Sequence, residues 1–228
     1  MRKLACLAVL ALAAALPASA QEAAKLSTPH YRFDRATLQA GAKFFASNCT
    51  ACHSLGHIRY RRLATDLGMS KEALTRIFPQ ARNKPDDVIK SAMPADAALQ
   101  AFGVVPPDLT LEARYRGTRW IYSYLKGFYS DPSRPTGFNN HVRPNVAMPD
   151  VLAGLQGIVA ADGSVISKGS VSPAEFDRDI AAVTAWLQYT SDPSKLERRA
   201  LGPWVIGFLV VFTLVAYALK RVVWRPVH

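Results

Sequence analysis

The chain has 228 residues, half of them hydrophobic, and its 28 Lys and Arg against 17 Asp and Glu give a formal net charge of +11. The length suits one domain with its own core and short terminal segments. The basic residues form no block of like charge, and the N-terminus predicts export, so we expect no nucleic-acid partner.

The first twenty residues (1–20) predict a cleaved secretory signal peptide. Two basic residues precede an apolar run from Leu4 to Leu16, and the small residues Ala18–Ala20 follow. The apolar run is too short to cross ~30 Å of hydrocarbon, which argues against a first transmembrane helix. We therefore expect the mature chain to begin at Gln21.

Residues 21–202 form a predicted head that is mainly α-helical with one small β-hairpin. The segment DRATLQAGAKFFASN predicts a helix with Asp34 as its N-cap and one apolar face. Gly41 in the middle of this helix lowers helix propensity by ~1 kcal/mol relative to alanine. Such a glycine indicates close approach by another helix.

The middle of the head predicts less regular structure. Residues 54–105 predict short helices broken at prolines, and DLTLEARYRGTRWIYSYLKG predicts one amphipathic helix that ends at Gly127. The next stretch, FYSDPSRPTGFNNHVRPNVAMPDVL, predicts a long irregular loop, and loops of that length are usually functional. Two β-prone runs around Asp162 and Gly163 predict the hairpin.

The last part of the head predicts a helix that begins with a capping box. Ser172 is the N-cap, Glu175 reaches back to it, and the helix is predicted to end near Asp192. The predicted buried positions recur at helical spacing and are Phe176, Ile180, Val183 and Leu187.

The C-terminal segment predicts a single membrane anchor at residues 203–223. No charge occurs from Trp204 to Leu219, and Trp204 and Trp224 are separated by ~30 Å of helix, so each suits one membrane interface. Pro203 suits the first helical position. Basic residues follow the apolar run, which predicts a short cytoplasmic tail at 224–228 and a periplasmic head.

Cys49, Cys52 and His53 form the sequence C-x-x-C-H, in a predicted mature chain with no other cysteine. A disulfide is one alternative, but redox CxxC motifs usually begin a helix of a βαβ unit, which is not predicted here. A zinc site needs four ligands, and the other histidines of the head show no zinc spacing. C-x-x-C-H is typical of covalent haem attachment, in which the two thiols bond the porphyrin and the histidine ligates iron. We therefore predict one haem c.

An iron bound by His53 takes a second ligand on its other face. Methionine in that position raises the reduction potential and favours electron transfer over oxygen chemistry. Met69 is too near His53, whereas Met93 and Met148 are each followed by proline. The local pattern favours Met148 and leaves Met93 open, and a core position is the alternative for either methionine.

Four segments in this order resemble cytochrome c1, the haem subunit of the cytochrome bc1 complex. They are the haem segment CTACHSLGHIRYRRL, the segment PPDLTLEARYRGTRWIYSYLKGFY, the methionine segment NVAMPDVL and the junction VTAWLQYTSDPSKLERRALG. The resemblance implies a mainly α, class I cytochrome c-like haem domain with a small β-hairpin, followed by one C-terminal transmembrane helix.

The resemblance also implies roles for individual residues. These are the thioether cysteines Cys49 and Cys52, the iron ligands His53 and Met148, the haem-propionate partner Arg114, and the haem-lining prolines Pro106 and Pro107. Trp120 stands where the family often has another aromatic residue.

The implied function is electron transfer within a ubiquinol–cytochrome c reductase, in which this subunit makes and breaks no substrate bond. The implied partners are cytochrome b, a Rieske iron–sulfur protein and a periplasmic c-type cytochrome, in a dimeric complex of the bacterial inner membrane. Alternatives are a membrane-anchored cytochrome of another respiratory chain and a gas-binding or catalytic haem protein. The basic head departs from the acidic docking surfaces of mitochondrial relatives.

Overall fold

The computed structural model describes residues 26–82 and 84–225, so the predicted signal peptide lies outside the described residues. The helices are α1 (Arg35–Asn48), α2 (Tyr60–Leu67), α3 (Lys71–Ile77), α4 (Ala95–Phe102), α5 (Glu112–Arg116), α6 (Thr118–Lys126), α7 (Ala153–Gln156), α8 (Pro173–Ser191) and α9 (Lys195–Trp224), with a 3-10 turn at Pro79–Arg82. The antiparallel strand pairs are β1 (Leu55–Arg59) with β2 (Val88–Ile89), β3 (Phe128–Ser130) with β4 (Phe138–Asn140), and β5 (Gly157–Val159) with β6 (Val165–Lys168).

The centre of the head is the crossing of α1 and α8. Asp34 caps α1 by accepting a hydrogen bond from the N–H of Thr37 at 3.0 Å, as predicted. A Cβ atom placed on Gly41 would lie 2.2 Å from the carbonyl oxygen of Ala182 on α8. This distance confirms the predicted close approach of a second helix at Gly41.

Helix α8 supplies most of the buried surface that α1 meets. Both hydrogen bonds of the capping box between Ser172 and Glu175 are present, which confirms that prediction. The four predicted apolar positions, Phe176, Ile180, Val183 and Leu187, are buried. Trp186 is completely buried, and its ring lies against those of Phe45, Phe78 and Tyr189.

The prediction of one helix across residues 108–127 is wrong. Gly117, with φ 84° and ψ 154°, breaks the segment into α5 and α6. Helical backbone needs a negative φ, so hydrogen bonding cannot continue through this residue. The predicted end of the second piece at Gly127 is confirmed.

The predicted β-hairpin is present, and two further antiparallel strand pairs accompany it. The hairpin around Gly163 is confirmed as β5 and β6, but β3 and β4 form another inside the predicted irregular loop. A further pair, β1 and β2, joins Leu55 to Ile89 within the region predicted as short helices. The head remains mainly α-helical, because each of these strands has five residues or fewer.

Helix α9 has 30 residues, of which none is buried, and its apolar part has a mean hydropathy of 2.0. It is long and apolar enough to cross a membrane. Pro203 does not occupy the first helical position, since α9 already begins at Lys195. The missing N–H of Pro203 leaves the carbonyl of Arg199 without its usual helical donor, a local loss within the helix.

Candidate cofactor site

The attachment loop, Cys49–His53, is the turn that follows α1. Cys49 is the C-cap residue, and its N–H donates to the carbonyl of Phe45 at 2.9 Å. The N–H groups of Cys52 and His53 both donate to the carbonyl of Cys49, at 3.1 and 2.8 Å. Both thiols are free rather than joined in a disulfide. One tight turn therefore carries two thiols and an imidazole.

The imidazole of His53 is held by one hydrogen bond. Its Nδ1 lies 2.8 Å from the carbonyl oxygen of Pro107. Because a carbonyl oxygen only accepts, Nδ1 carries the proton and Nε2 keeps a lone pair that can bind a metal. Burial lowers the pKa of His53 despite opposing effects of Pro107 and nearby carboxylates, so the ring is held neutral.

The segment around Pro107 is fixed to the chain that follows His53. Asp108 accepts a hydrogen bond from the N–H of Gly56, and the N–H of Leu109 donates to the carbonyl of Ser54 at 2.9 Å. Pro106, next to it, is half-buried, whereas Pro107 is exposed. These bonds hold the Pro107 carbonyl where it meets the His53 ring.

A second segment, Ser91–Met93, lies against the attachment loop. The N–H of Ala92 donates to the carbonyl of Thr50, and that of Met93 to the carbonyl of Ala51, each at 3.1 Å. The backbone of Met93 is therefore hydrogen-bonded to the loop that carries the two thiols.

Met148 lies against helix α6. The hydroxyl of Tyr124 donates to Met148 Sδ at 3.4 Å. Burial raises the pKa of Tyr124 to about 12, which keeps this hydroxyl protonated and able to donate. The rings of Trp120 and Tyr124 stack with centroids 4.8 Å apart, and the Arg116 guanidinium lies 4.3 Å from the Trp120 ring centre.

Two buried asparagines brace the methionine loop, which we define as residues 138–150. The side-chain amide of Asn140 donates to the carbonyl of Tyr124 at 2.8 Å, and its oxygen accepts from the N–H of Val142 at 2.9 Å. Asn139 accepts from the N–H of Asn145 at 2.8 Å. The loop carrying Met148 is thereby attached to the end of α6.

Arg114 and Arg116 both lie on α5, but their side chains have different surroundings. Arg114 is exposed and lines a surface depression together with residues of α8 and α9. Arg116 pairs with Glu112 at 2.8 Å and joins the aromatic row that ends at Met148. The resemblance suggested Arg114 for this site, whereas the structure brings Arg116 close to the methionine side.

Sequence reasoning missed Tyr124, Arg116 and the two asparagines. The spacing of four between Trp120 and Tyr124 was a usable signal, because both lie on α6 and such residues share a helix face. Arg116 gave no such signal, because the break at Gly117 separates it from α6. The asparagine pair had no signal of its own, since its bonds depend on how the loop folds.

The side chains of this region fit a covalently attached haem. Two free thiols share one turn with an imidazole whose Nε2 is available, and sulfur with imidazole is a donor set that haem iron accepts. Among residues 26–82 and 84–225, no three His, Cys, Asp or Glu side chains form a cluster that could hold a metal ion.

Comparison with known proteins agrees with this chemistry. A profile of the Cytochrome C1 family matches residues 25–227. The chain is 43% identical over 210 residues to cytochrome c1 of Allochromatium vinosum, with 86% of each chain covered. It is 36% identical over 233 residues to the ammonia monooxygenase gamma subunit of Nitrosomonas europaea, with 100% of this chain and 99% of that one covered. Cytochrome c1 of Rhodospirillum rubrum is 30% identical over 238 residues, with 86% and 84% covered.

Proposed function

Because the chain belongs to the cytochrome c1 family and carries a covalently bound haem c, we propose that it is the electron-transfer subunit of a ubiquinol–cytochrome c reductase. The observation that carries the proposal is the attachment loop, in which two free thiols precede a His53 ring oriented by the carbonyl of Pro107. Haem supplies one-electron chemistry when bound, and the chain supplies attachment, ligands and a buried setting. The complex is an oxidoreductase, while this subunit only passes electrons.

We propose Cys49 and Cys52 as the thioether sites and His53 as one iron ligand. The turn that joins the three residues supports this assignment, since its hydrogen bonds fix their relative positions. The Pro107 carbonyl keeps Nδ1 protonated, which leaves Nε2 as the ligand atom.

We propose Met148 as the second ligand. Its loop is hydrogen-bonded to α6, whereas the backbone of Met93 is hydrogen-bonded to the attachment loop itself. A second iron ligand would have to come from a segment other than the one that carries the thiols, which favours Met148.

Two arginines are candidates for pairing with a haem propionate. The resemblance points to Arg114, and the geometry favours Arg116, because it lies in the aromatic row beside Met148. Pro106 and Pro107 remain proposed haem-lining residues, and the bond from His53 to Pro107 supports the second of them.

The proposed partners are cytochrome b, a Rieske iron–sulfur protein that reduces the haem, and a periplasmic c-type cytochrome that oxidises it. The proposed location is the bacterial inner membrane, with the head in the periplasm, α9 as a single anchor and a dimeric complex. The cytochrome c1 relatives support the first two partners, and the exposed apolar α9 supports the anchor.

A second candidate is a haem subunit of another membrane complex. This second candidate is supported by the Nitrosomonas europaea relative, which is named as a subunit of ammonia monooxygenase and aligns with the whole of this chain. The two candidates differ in the proteins that accompany the chain.

The deciding experiment is purification of the chain from its own membranes in mild detergent, followed by haem absorbance. We expect a b-type cytochrome and a Rieske-type protein to travel with it, and quinol to reduce its haem in a manner blocked by inhibitors of quinol oxidation. Purification with an oxidase or a monooxygenase instead, and no reduction by quinol, would refute the proposal.

A further inference from the structure

A depression of about 440 Å³ lies where the head joins α9. Its walls come from α5, the end of α8 and the first turns of α9, and Arg114, Asp192, Lys195 and Arg198 line it. This volume falls within the ~300–1,000 Å³ that is typical of ligand-binding pockets. The depression is separate from the thiols, His53 and Met148.

The side chains that line the depression carry an excess of positive charge. Both oxygens of Asp192 are engaged by Arg198, one of them at 3.0 Å, so this carboxylate is already neutralised. Within the described ranges, neither Arg114 nor Lys195 lies within ion-pair distance of an acidic side chain. Lys195 instead lies 4.9 Å from the ring centre of Phe33. Two positive charges are therefore left without an anion.

The depression stands at the outer edge of the lipid headgroups if α9 crosses a membrane. Trp204, which is 79% exposed, begins the long apolar surface of α9. Arg198 and Lys195 precede Trp204 by six and nine residues, which corresponds to ~9 and ~14 Å of helix. The polar layer on each side of the hydrocarbon is ~5–8 Å thick, so both backbone positions lie outside it and their long side chains reach it when extended toward the membrane.

We propose that the depression binds the phosphate of an anionic phospholipid in the leaflet on the side of the head. Arg114 and Lys195 face the phosphodiester, and the planar guanidinium of Arg114 suits two of its oxygens. A lipid held there would join α5, the end of α8 and α9, and so fix the head on its anchor. The proposal requires that α9 crosses a membrane and that Arg116, rather than Arg114, pairs with a haem propionate. It does not depend on which proteins exchange electrons with the haem.

The test titrates the full haem-loaded chain in non-ionic detergent with phosphatidylglycerol and counts bound lipid by native mass spectrometry. Lys195→Ala and Arg114→Ala should each weaken binding about fivefold, which is the usual contribution of one basic residue near an anionic surface. Phosphatidylcholine binding should not change. The matched control is Lys168→Ala, which removes an exposed charge on β6 and should leave phosphatidylglycerol binding unchanged.

Asp192→Asn provides a variant whose expected effect cannot come from misfolding. Among the described residues that line the depression, it removes the one carboxylate, so phosphatidylglycerol should bind more tightly. Equal weakening by Lys168→Ala would indicate diffuse attraction to the basic surface and overturn the proposal. Displacement of the lipid by an equal concentration of inorganic phosphate would assign the depression to a free anion and overturn it too.

The haem absorbance spectrum of each variant reports whether the head is folded. Lys195→Ala should retain quinol-dependent haem reduction while losing lipid. If quinol fails to reduce the haem of the unchanged chain but lipid binding follows the expected order, the proposed function fails and the lipid site stands.

Discussion

A single backbone carbonyl orients His53. Pro107 provides it, and the bonds from Gly56 to Asp108 and from Leu109 to Ser54 keep Pro107 in place. The Pro-Pro-Asp-Leu segment therefore acts on the site through the position of the His53 ring, which we propose as an iron ligand.

The choice between Met148 and Met93 can be tested by one conservative substitution at each. Met148→Leu keeps similar volume but removes the sulfur, so the sulfur-to-iron absorption band should disappear, the midpoint potential should fall and the ferrous protein should bind carbon monoxide. Met93→Leu should leave all three properties unchanged. The opposite pattern would assign the second ligand to Met93.

Tyr124 should tune the potential of the haem through Met148. If Met148 ligates the iron as proposed, the hydrogen bond to Sδ would draw electron density from the ligand sulfur, so Tyr124→Phe should favour the ferric state. We expect the midpoint potential to fall by at most about 40 mV, equivalent to ~1 kcal/mol for one electron. Redox titration measures the shift, and carbon monoxide should still not bind.

Tyr122→Phe is the matched control for this substitution. Its hydroxyl donates to Asp177 rather than to the methionine, although it lies on the same helix. An equal fall in potential for both variants would mean that the hydroxyl of Tyr124 has no specific effect on Met148.

Redox titration of the midpoint potential also distinguishes the two candidate arginines. Arg116→Gln should lower the midpoint potential more than Arg114→Gln, because a positive charge near the haem disfavours its ferric form. A larger effect at Arg114 would support the position that the family resemblance indicates and contradict the geometric argument.

The sequence predicted the attachment loop because its chemistry depends on local spacing. It could not predict which of Arg114 and Arg116 points toward Met148. Residues two positions apart on a helix point ~200° away from each other, but the side that faces the methionine depends on how the helix is placed. Their orientation depends on the break at Gly117, which separates α5 from α6. The roles of Asn139 and Asn140 could not be predicted either, because their partners are backbone N–H groups whose positions depend on how the loop folds.

At the scale of the elements, the crossing of α1 and α8 depends on the absence of a side chain at Gly41. Gly41→Ala would place a methyl group 2.7 Å from Trp186 Cβ and nearer still to the Ala182 carbonyl. The helices would have to move apart, so we expect a loss of ~1–3 kcal/mol in the free energy of unfolding. Chemical denaturation followed by haem absorbance and circular dichroism measures it.

Gly154→Ala is the matched control, because a Cβ atom there meets nothing within 4 Å. Its effect should stay within ~0.5 kcal/mol. Equal stability of the two variants would show that α1 and α8 tolerate a wider separation.

Helices with local caps were predictable, whereas the short strands were not. The capping box of α8 lies within four consecutive residues, and so does the cap of α1. The pairing of Leu55 with Ile89 instead joins distant parts of the chain, and β2 has only two residues. A strand this short has no periodicity of its own.

At the scale of the whole molecule, α9 belongs to both the head and the membrane segment. Its first turns contact the head through Leu196, which packs on the core, and through Glu197, which lies 3.8 Å from Arg62. Beyond them the helix continues through Pro203 without a buried residue. The head therefore meets its anchor through a helical connection, which limits free rotation between them.

Removal of the anchor should release an intact head. All buried side chains of the described chain precede α9, so a chain ending after Gly202 keeps the core, the attachment loop and the methionine loop. We expect it in the soluble fraction after ultracentrifugation, with the haem spectrum of the full chain. Met148→Leu in the full chain is the control, since its altered spectrum should remain in the membrane fraction. A truncated chain that stays on membranes after washing at high salt would show that the head itself holds the membrane, because salt screens the attraction between its basic surface and anionic lipid.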